Sequence, residues 1–370
     1  MSKPSCVPAA AALLALTLSA GSASAAPTLG RCSVFPDAAV FNQRIDDPLR
    51  YPAHPSSSKW IGSIGKSRKL HADWGTSENA AQTDTYYGMP YNLIDGTSAS
   101  TLWPTLSYEI TDPRDGNGAG VPGESDCAVM KSGTVQVRQG CDTVPLAERR
   151  FPFPLDSQIK AEHGRCNDPQ RCGDRHVLVL DQGSCRLWES YFAYQVNGRW
   201  QAYSTASWDL NSLSMRPEGW TSADAAGLPI LPLLARADEA EAGEIRHALR
   251  VTFRDGVLDR QAVWPATHAA GNVVKGGIPL GAVLRLRSDF QIPFHWSTQT
   301  RALVQAMQRY GLYVADIGSD LYVQGEPSAR WASSTIDQIQ GLKMSDFEFV
   351  DLRRITDDPH FIPFSYRAAW

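Results

Sequence analysis

The sequence predicts a mainly β protein, a β-sandwich or jelly-roll-like domain with one or two peripheral helices. Three observations lead there. Short runs such as residues 105–110 and 133–138 alternate apolar with polar side chains and end in turn residues. A β-rich stretch at 174–195 is interrupted by Gln182 and Gly183, as a hairpin would be. Helical spacing is clear in one place, where Leu303, Val304, Met307 and Tyr310 share a face and Gly311 ends the run.

Taken in order, residues 1–25 read as a secretory signal. Lys3 supplies a positive start, residues 9–20 are apolar but too short to span a bilayer, and Ala23-Ser24-Ala25 is a small-residue cleavage site. No cysteine follows that site, so no lipid anchor is expected. The remainder, 26–370, reads as a single secreted domain, periplasmic or extracellular. It has a loop-rich part (26–173), a β-sandwich core (174–330) and a C-terminal helix and strand part (331–370). Residues 112–124 form a Gly/Pro/Asp loop. Strands are expected at 175–180, 185–195, 244–253, 281–287, 312–316 and 321–324, with helices at 300–310 and 334–340.

With 43% hydrophobic and 20% charged residues, the chain has the composition of a packed globular protein. A formal net charge of -4 gives no electrostatic footprint for nucleic acid or an anionic membrane. Six of the seven cysteines lie beyond the signal, and an even number in an oxidising compartment favours three disulfides. Cys166 and Cys172 can close a small loop around a Pro turn, and Cys127 with Cys141 can bracket a short hairpin. That leaves Cys32 with Cys185, one arrangement among the fifteen that six cysteines allow.

Candidate site residues concentrate in the 174–189 hairpin and the 219–227 loop. With Gln182 and Gly183 as a two-residue turn, His176 falls opposite Glu189 at the end of an apolar patch. A carboxylate beside an imidazole makes a tunable acid or base, although such pairs are also common structural features. His247 lies on the apolar face of 244–253, where a hydrogen-bonded core histidine is the ordinary alternative. His268 sits where a strand end meets a Gly loop. His176, Glu189, His247 and His268 are ligand types that zinc or iron accepts, but no HxxxH, HxH or CxxC spacing supports a metal. No cofactor motif is present.

In the 219–227 loop, Thr221, Ser222 and Asp224 bring hydroxyls and a carboxylate close together, and Trp220 adds a flat surface. Ser222 lacks the GxSxG context of a nucleophile elbow, and a helix cap is the plain alternative. Trp208 and Trp220 suit sugar stacking, although core packing explains tryptophans equally well. Arg250, Arg285 and Arg287 are strand arginines; on a cleft face such a residue holds a carboxylate, and elsewhere it belongs to a solvated face.

The stretches 174–181, 219–230, 245–250, 264–268 and 310–319 resemble a family of uncharacterised secreted bacterial proteins, with GWTSADAAGLPI at 219–230 the most specific. The resemblance spans roughly residues 35–351 and implies secretion and one domain. The segment 112–172, with four cysteines, is long for that family. No activity comes with the resemblance.

These residues point to a secreted enzyme acting on an extracellular polysaccharide by hydrolysis or elimination. Glu189, Asp224, His247 and His176 are its catalytic candidates. Trp208, Trp220, Ser222, Arg250 and His268 are its substrate-binding candidates. A non-catalytic carbohydrate- or wall-binding protein would use the same aromatic and polar residues, and a metal-dependent sandwich enzyme would use the histidines. Neither a nucleic-acid partner nor a stable membrane anchor is expected.

Overall fold

The computed structural model describes residue 1 and residues 26–113, 118–155 and 158–370. The expected signal segment and part of the 112–124 loop lie outside the described residues. The fold is mainly β, with several sheets. The largest has six strands in the order Phe347–Val350, Val283–Leu286, Leu312–Ile317, Leu249–Phe253, Tyr322–Gln324 and His71–Asp73. A second has four: Ser204–Asp209, Arg186–Tyr191, Val177–Asp181 and Tyr91–Ile94.

Period-two alternation makes the four-stranded sheet a wall between two cores. Leu178, Leu180, Leu187, Ala206 and Trp208 join the main core with Val251, Leu284 and Val314 of the six-stranded sheet. Val177, Val179 and Trp188 point the other way, against Cys127, Phe151 and Trp200.

Both sheets contain parallel pairs. Leu249–Phe253 runs parallel to Leu312–Ile317, His71–Asp73 to Tyr322–Gln324, and Tyr91–Ile94 to Val177–Asp181. Parallel neighbours need crossovers rather than hairpins. They interrupt the antiparallel order that a jelly roll implies.

The main helix is Thr298–Arg309, where spacing predicted 300–310. It starts early because Ser297 caps it, its Oγ accepting from Thr300 N at 3.1 Å. Leu303, Val304 and Met307 are buried, as their spacing requires. A second helix, Ser333–Ile339, falls within a residue of expectation.

Three elements differ from the sequence reading. The strand expected over 185–195 ends at Tyr191, and Tyr194–Val196 pairs instead with Arg199–Gln201 in a separate three-stranded sheet. The strand expected over 244–253 is confined to Leu249–Phe253, and all five of its residues are buried. Residues before it leave the sheet, and Ala248 N donates to Phe41 O at 2.7 Å. The hairpin turn is also longer than two residues, because Asp181 pairs with Arg186 and residues 182–185 form the turn. The Asp181 carboxylate organises it, accepting from Gly183 N at 2.8 Å, Ser184 Oγ at 2.6 Å and Gly96 N at 2.6 Å. Glu189 therefore faces Leu178 rather than His176.

Three disulfides join Cys32 to Cys185, Cys127 to Cys141 and Cys166 to Cys172. No helix among the described residues is long and apolar enough to cross a membrane. The Cys32–Cys185 bridge ties the hairpin turn to a segment 153 residues away. Restraining so long a loop in the unfolded chain stabilises by about 3–5 kcal/mol. Replacing both residues by serine is expected to lower unfolding free energy by about that amount in a denaturant titration. An unchanged midpoint would contradict this.

Candidate active site

Arg250 sits on a central strand of the six-stranded sheet, and its side chain is fully buried. Its guanidinium donates through Nη2 to Asp224 Oδ1, and Asp224 is likewise fully buried. Nη2 lies 3.9 Å from Asp316 Oδ2, on the neighbouring strand. The sheet register explains why an aspartate stands there. Val251 faces Val314, but Thr252 faces Asp316, so a bulge at Ala315 gives Asp316 the place that strict pairing would give the alanine. The loop before the site is fastened to the same spot, since Ala226 N donates to Ala315 O at 2.9 Å.

The four-stranded sheet supplies the opposite side. His176, next to the strand Val177–Asp181, is 2% exposed. Its Nδ1 lies 2.7 Å from Glu162 Oε2, and its Nε2 lies 2.9 Å from Ala223 O. The hairpin and the 219–227 loop thus meet directly. The Tyr191 hydroxyl lies 2.7 Å from Asp112 and 3.2 Å from Asp174, one donor between two carboxylates.

Electrostatics join these residues into one cluster. Asp73 feels Glu162 and Arg250, Asp174 acts on both His176 and Asp316, and Asp224 interacts with Asp316 and His176. Asp224 and Arg250 form the buried floor. Asp316 (side chain 25% exposed) and Glu162 (16%) are its partly exposed members. Tyr322 and His71 stack beside Asp73, with ring centroids 4.1 Å apart.

The carboxyl groups are driven apart in acidity. Burial pushes Asp316 well above the usual aspartate range, and the Asp224 charge adds to it against the pull of Arg250. Burial also raises Asp224, with Arg250 opposing. Asp73 is raised by burial and by Glu162. Glu162 goes the other way: burial would raise it, but the His176 charge and hydrogen bond hold it below its ordinary value. In return, burial disfavours the His176 imidazolium, but Glu162 outweighs it and raises the pKa to about 9.

The remaining sequence candidates have other surroundings. Glu189 is fully buried and accepts from Ile230 N at 2.9 Å and Leu231 N at 2.8 Å, clamping the turn that follows the loop. Burial pushes its pKa to about 7 against those two donors. His247 is buried in a separate network, 2.9 Å from Glu239 and 2.7 Å from Ala248 O. His268 lies 2.7 Å from Ala225 O. Ser222 is a loop pin: its Oγ accepts from Asp224 N at 2.9 Å and donates to Leu228 O at 2.8 Å. Trp208 belongs to the core, while Trp220 is half-buried beside the Arg216 guanidinium. Among the described residues, no three His, Cys, Asp or Glu side chains converge as a metal would require.

Sequence reasoning missed Asp316, Glu162, Asp73 and Asp174. Asp316 was visible only as the end of a strand pattern, and Glu162 lies in the loop-rich part, where no periodicity marks it. Of the other strand arginines, Arg285 is buried against Glu348 and backbone carbonyls, and Arg287 is exposed beside Asp289.

No family model matches the chain, nor does any curated protein or solved structure.

Two outcomes follow for stability. Glu189→Ala leaves two buried backbone N–H groups without acceptors and is expected to cost about 2–5 kcal/mol in denaturant unfolding; a loss under about 0.5 kcal/mol would contradict the clamp. The His176–Glu162 pair sets a pH dependence. The folded His176 pKa of about 9 lies above its ordinary 6.5, so its contribution is complete below pH 6.5 and is lost as pH rises through about 9. Stability measured from pH 6.5 to 9 should fall more steeply in the wild type than in Glu162→Gln; parallel curves would contradict this.

Proposed function

We propose that the protein is a secreted hydrolase of an extracellular glycan, working by carboxyl acid–base chemistry at the cluster that contains Asp316 and Glu162. The observation that carries this reading is the opposite displacement of two partly exposed carboxyl groups in one cluster. Asp316 is raised and Glu162 is lowered. Hydrolysis of a glycosidic bond needs that division: a carboxylic acid that keeps its proton for the leaving oxygen, and a carboxylate that stays charged to activate water or attack the sugar.

Asp316 is the acid in this reading, with Asp224 and Arg250 beneath it setting its proton affinity. Glu162 is the carboxylate, held ionised and oriented by His176. Tyr322 and His71 offer flat surfaces beside Asp73. Hydrolysis is favoured over elimination because the cluster offers the acid and the carboxylate that hydrolysis needs, while the guanidinium at its centre is buried and bound to Asp224. The disulfides suit an oxidising, extracellular setting.

The test is release of new reducing ends from xylan, mixed β-glucan, chitooligosaccharides and glycans containing uronic acids. Wild-type protein should cleave at least one. Asp316→Asn and Glu162→Gln should each reduce kcat by about 100-fold or more, with the circular dichroism spectrum unchanged. The pH profile should be bell-shaped, falling on the alkaline side as Asp316 loses its proton and on the acid side as Glu162 gains one. Binding without cleavage by any preparation would instead indicate a carbohydrate-binding protein and end the hydrolase reading.

A further inference from the structure

A second concavity adjoins the carboxyl cluster. It has a volume of about 260 Å³, and Tyr86, Tyr91, Lys160, Arg165 and Glu326 are among its lining residues. Both of its walls continue toward that cluster. Lys160 is two residues from Glu162, and Glu326 is two residues from Gln324, which pairs with Asp73 across the sheet. The Lys160 wall is rigidly placed, because Asn92 accepts from Lys160 N through Oδ1 at 2.8 Å and donates to Lys160 O through Nδ2 at 2.8 Å.

The polar groups here are unequally occupied. The acids are engaged: Glu78 accepts from Ser328 Oγ and Ala329 N, both at 3.0 Å, while Glu326 accepts from Ala237 N at 2.8 Å and is hydrogen-bonded to Tyr91. Lys160 and Arg165 are exposed, and among the described residues neither side chain is in an ion pair; Tyr86 is only 4% exposed. Two cationic side chains and a phenol therefore line a volume suited to one sugar ring.

We propose that this cavity binds a sugar residue bearing a carboxylate, such as a uronic acid, in the glycan cleaved at the neighbouring cleft. Lys160 and Arg165 pair with the carboxylate, and Tyr86 donates to a ring substituent. The assignment rests on the hydrolase reading for its second half only; binding of the acidic sugar stands by itself. It also divides the substrate electrostatically. The acidic residue lies against the cations, and the bond to be broken lies among the carboxyl groups, where a second anion would be repelled.

The experiment is an NMR titration of the full chain with methyl β-D-glucuronide and, separately, methyl β-D-glucoside. The expected result is at least tenfold tighter binding of the glucuronide. That preference should disappear in the Lys160→Gln/Arg165→Gln double variant, whose substitutions are both at exposed positions, and Tyr86→Phe should weaken both ligands severalfold. Equal affinities, no binding of either ligand, or a preference that survives the double substitution would overturn the assignment. Asp316→Asn should leave glucuronide binding intact. If the cavity fails these tests while Asp316→Asn still abolishes cleavage, only the cavity assignment falls. If glucuronide binds as described but no glycan is cleaved, only the hydrolase reading falls.

Discussion

Arg250 is buried in the middle of the larger sheet with Asp224 hydrogen-bonded to it and Asp316 close by. A guanidinium so placed is costly to desolvate and is tolerated only with a carboxylate at hand. Much of the surrounding structure serves that arrangement. Ser222 fixes the loop that carries Asp224, Ala226 hangs the same loop on the strand carrying Asp316, and Glu189 anchors the backbone just beyond it. Gly227 closes the loop at φ +69, where a Cβ would stand 2.1 Å from Thr267 Oγ1. The GWTSADAAGLPI stretch is thus a scaffold for one carboxylate.

That carboxylate links the buried Arg250 to the partly exposed Asp316. One cation shared among several acids cannot keep them all ionised, so protons are retained where burial is greatest and opposing charge is weakest. Burial raises the Asp316 proton affinity above the ordinary aspartate range, and the His176 charge and hydrogen bond hold Glu162 below its own. The two sheets contribute one partner each, through Arg250 and His176, which places the proposed site at their meeting.

The legible parts of the sequence were local. The helix at Thr298–Arg309 shows its cap and its apolar face, and loop lengths suggested the disulfide arrangement that is found. The 219–227 loop stood out because hydroxyls, a carboxylate and small residues crowd together. Long-range facts were not legible. The bulge that re-aims Asp316 depends on pairing between strands about 60 residues apart. Glu162 reaches His176 from a segment without periodicity, and the hairpin turn was misread because the Asp181 side chain stabilises a longer connection than Gln182-Gly183 implies. Arg250 looked like half of an alternating, half-exposed strand, yet the sheet is covered on both faces.

The most direct measurement is a carbon-13 NMR titration of the side-chain carboxyl carbons of Asp316 and Glu162 in the intact protein. Asp316 is expected to keep its proton well above the ordinary aspartate value of 3.8, and Glu162 to give up its proton below the ordinary glutamate value of 4.5. Two carboxyl groups titrating together near 4 would contradict it.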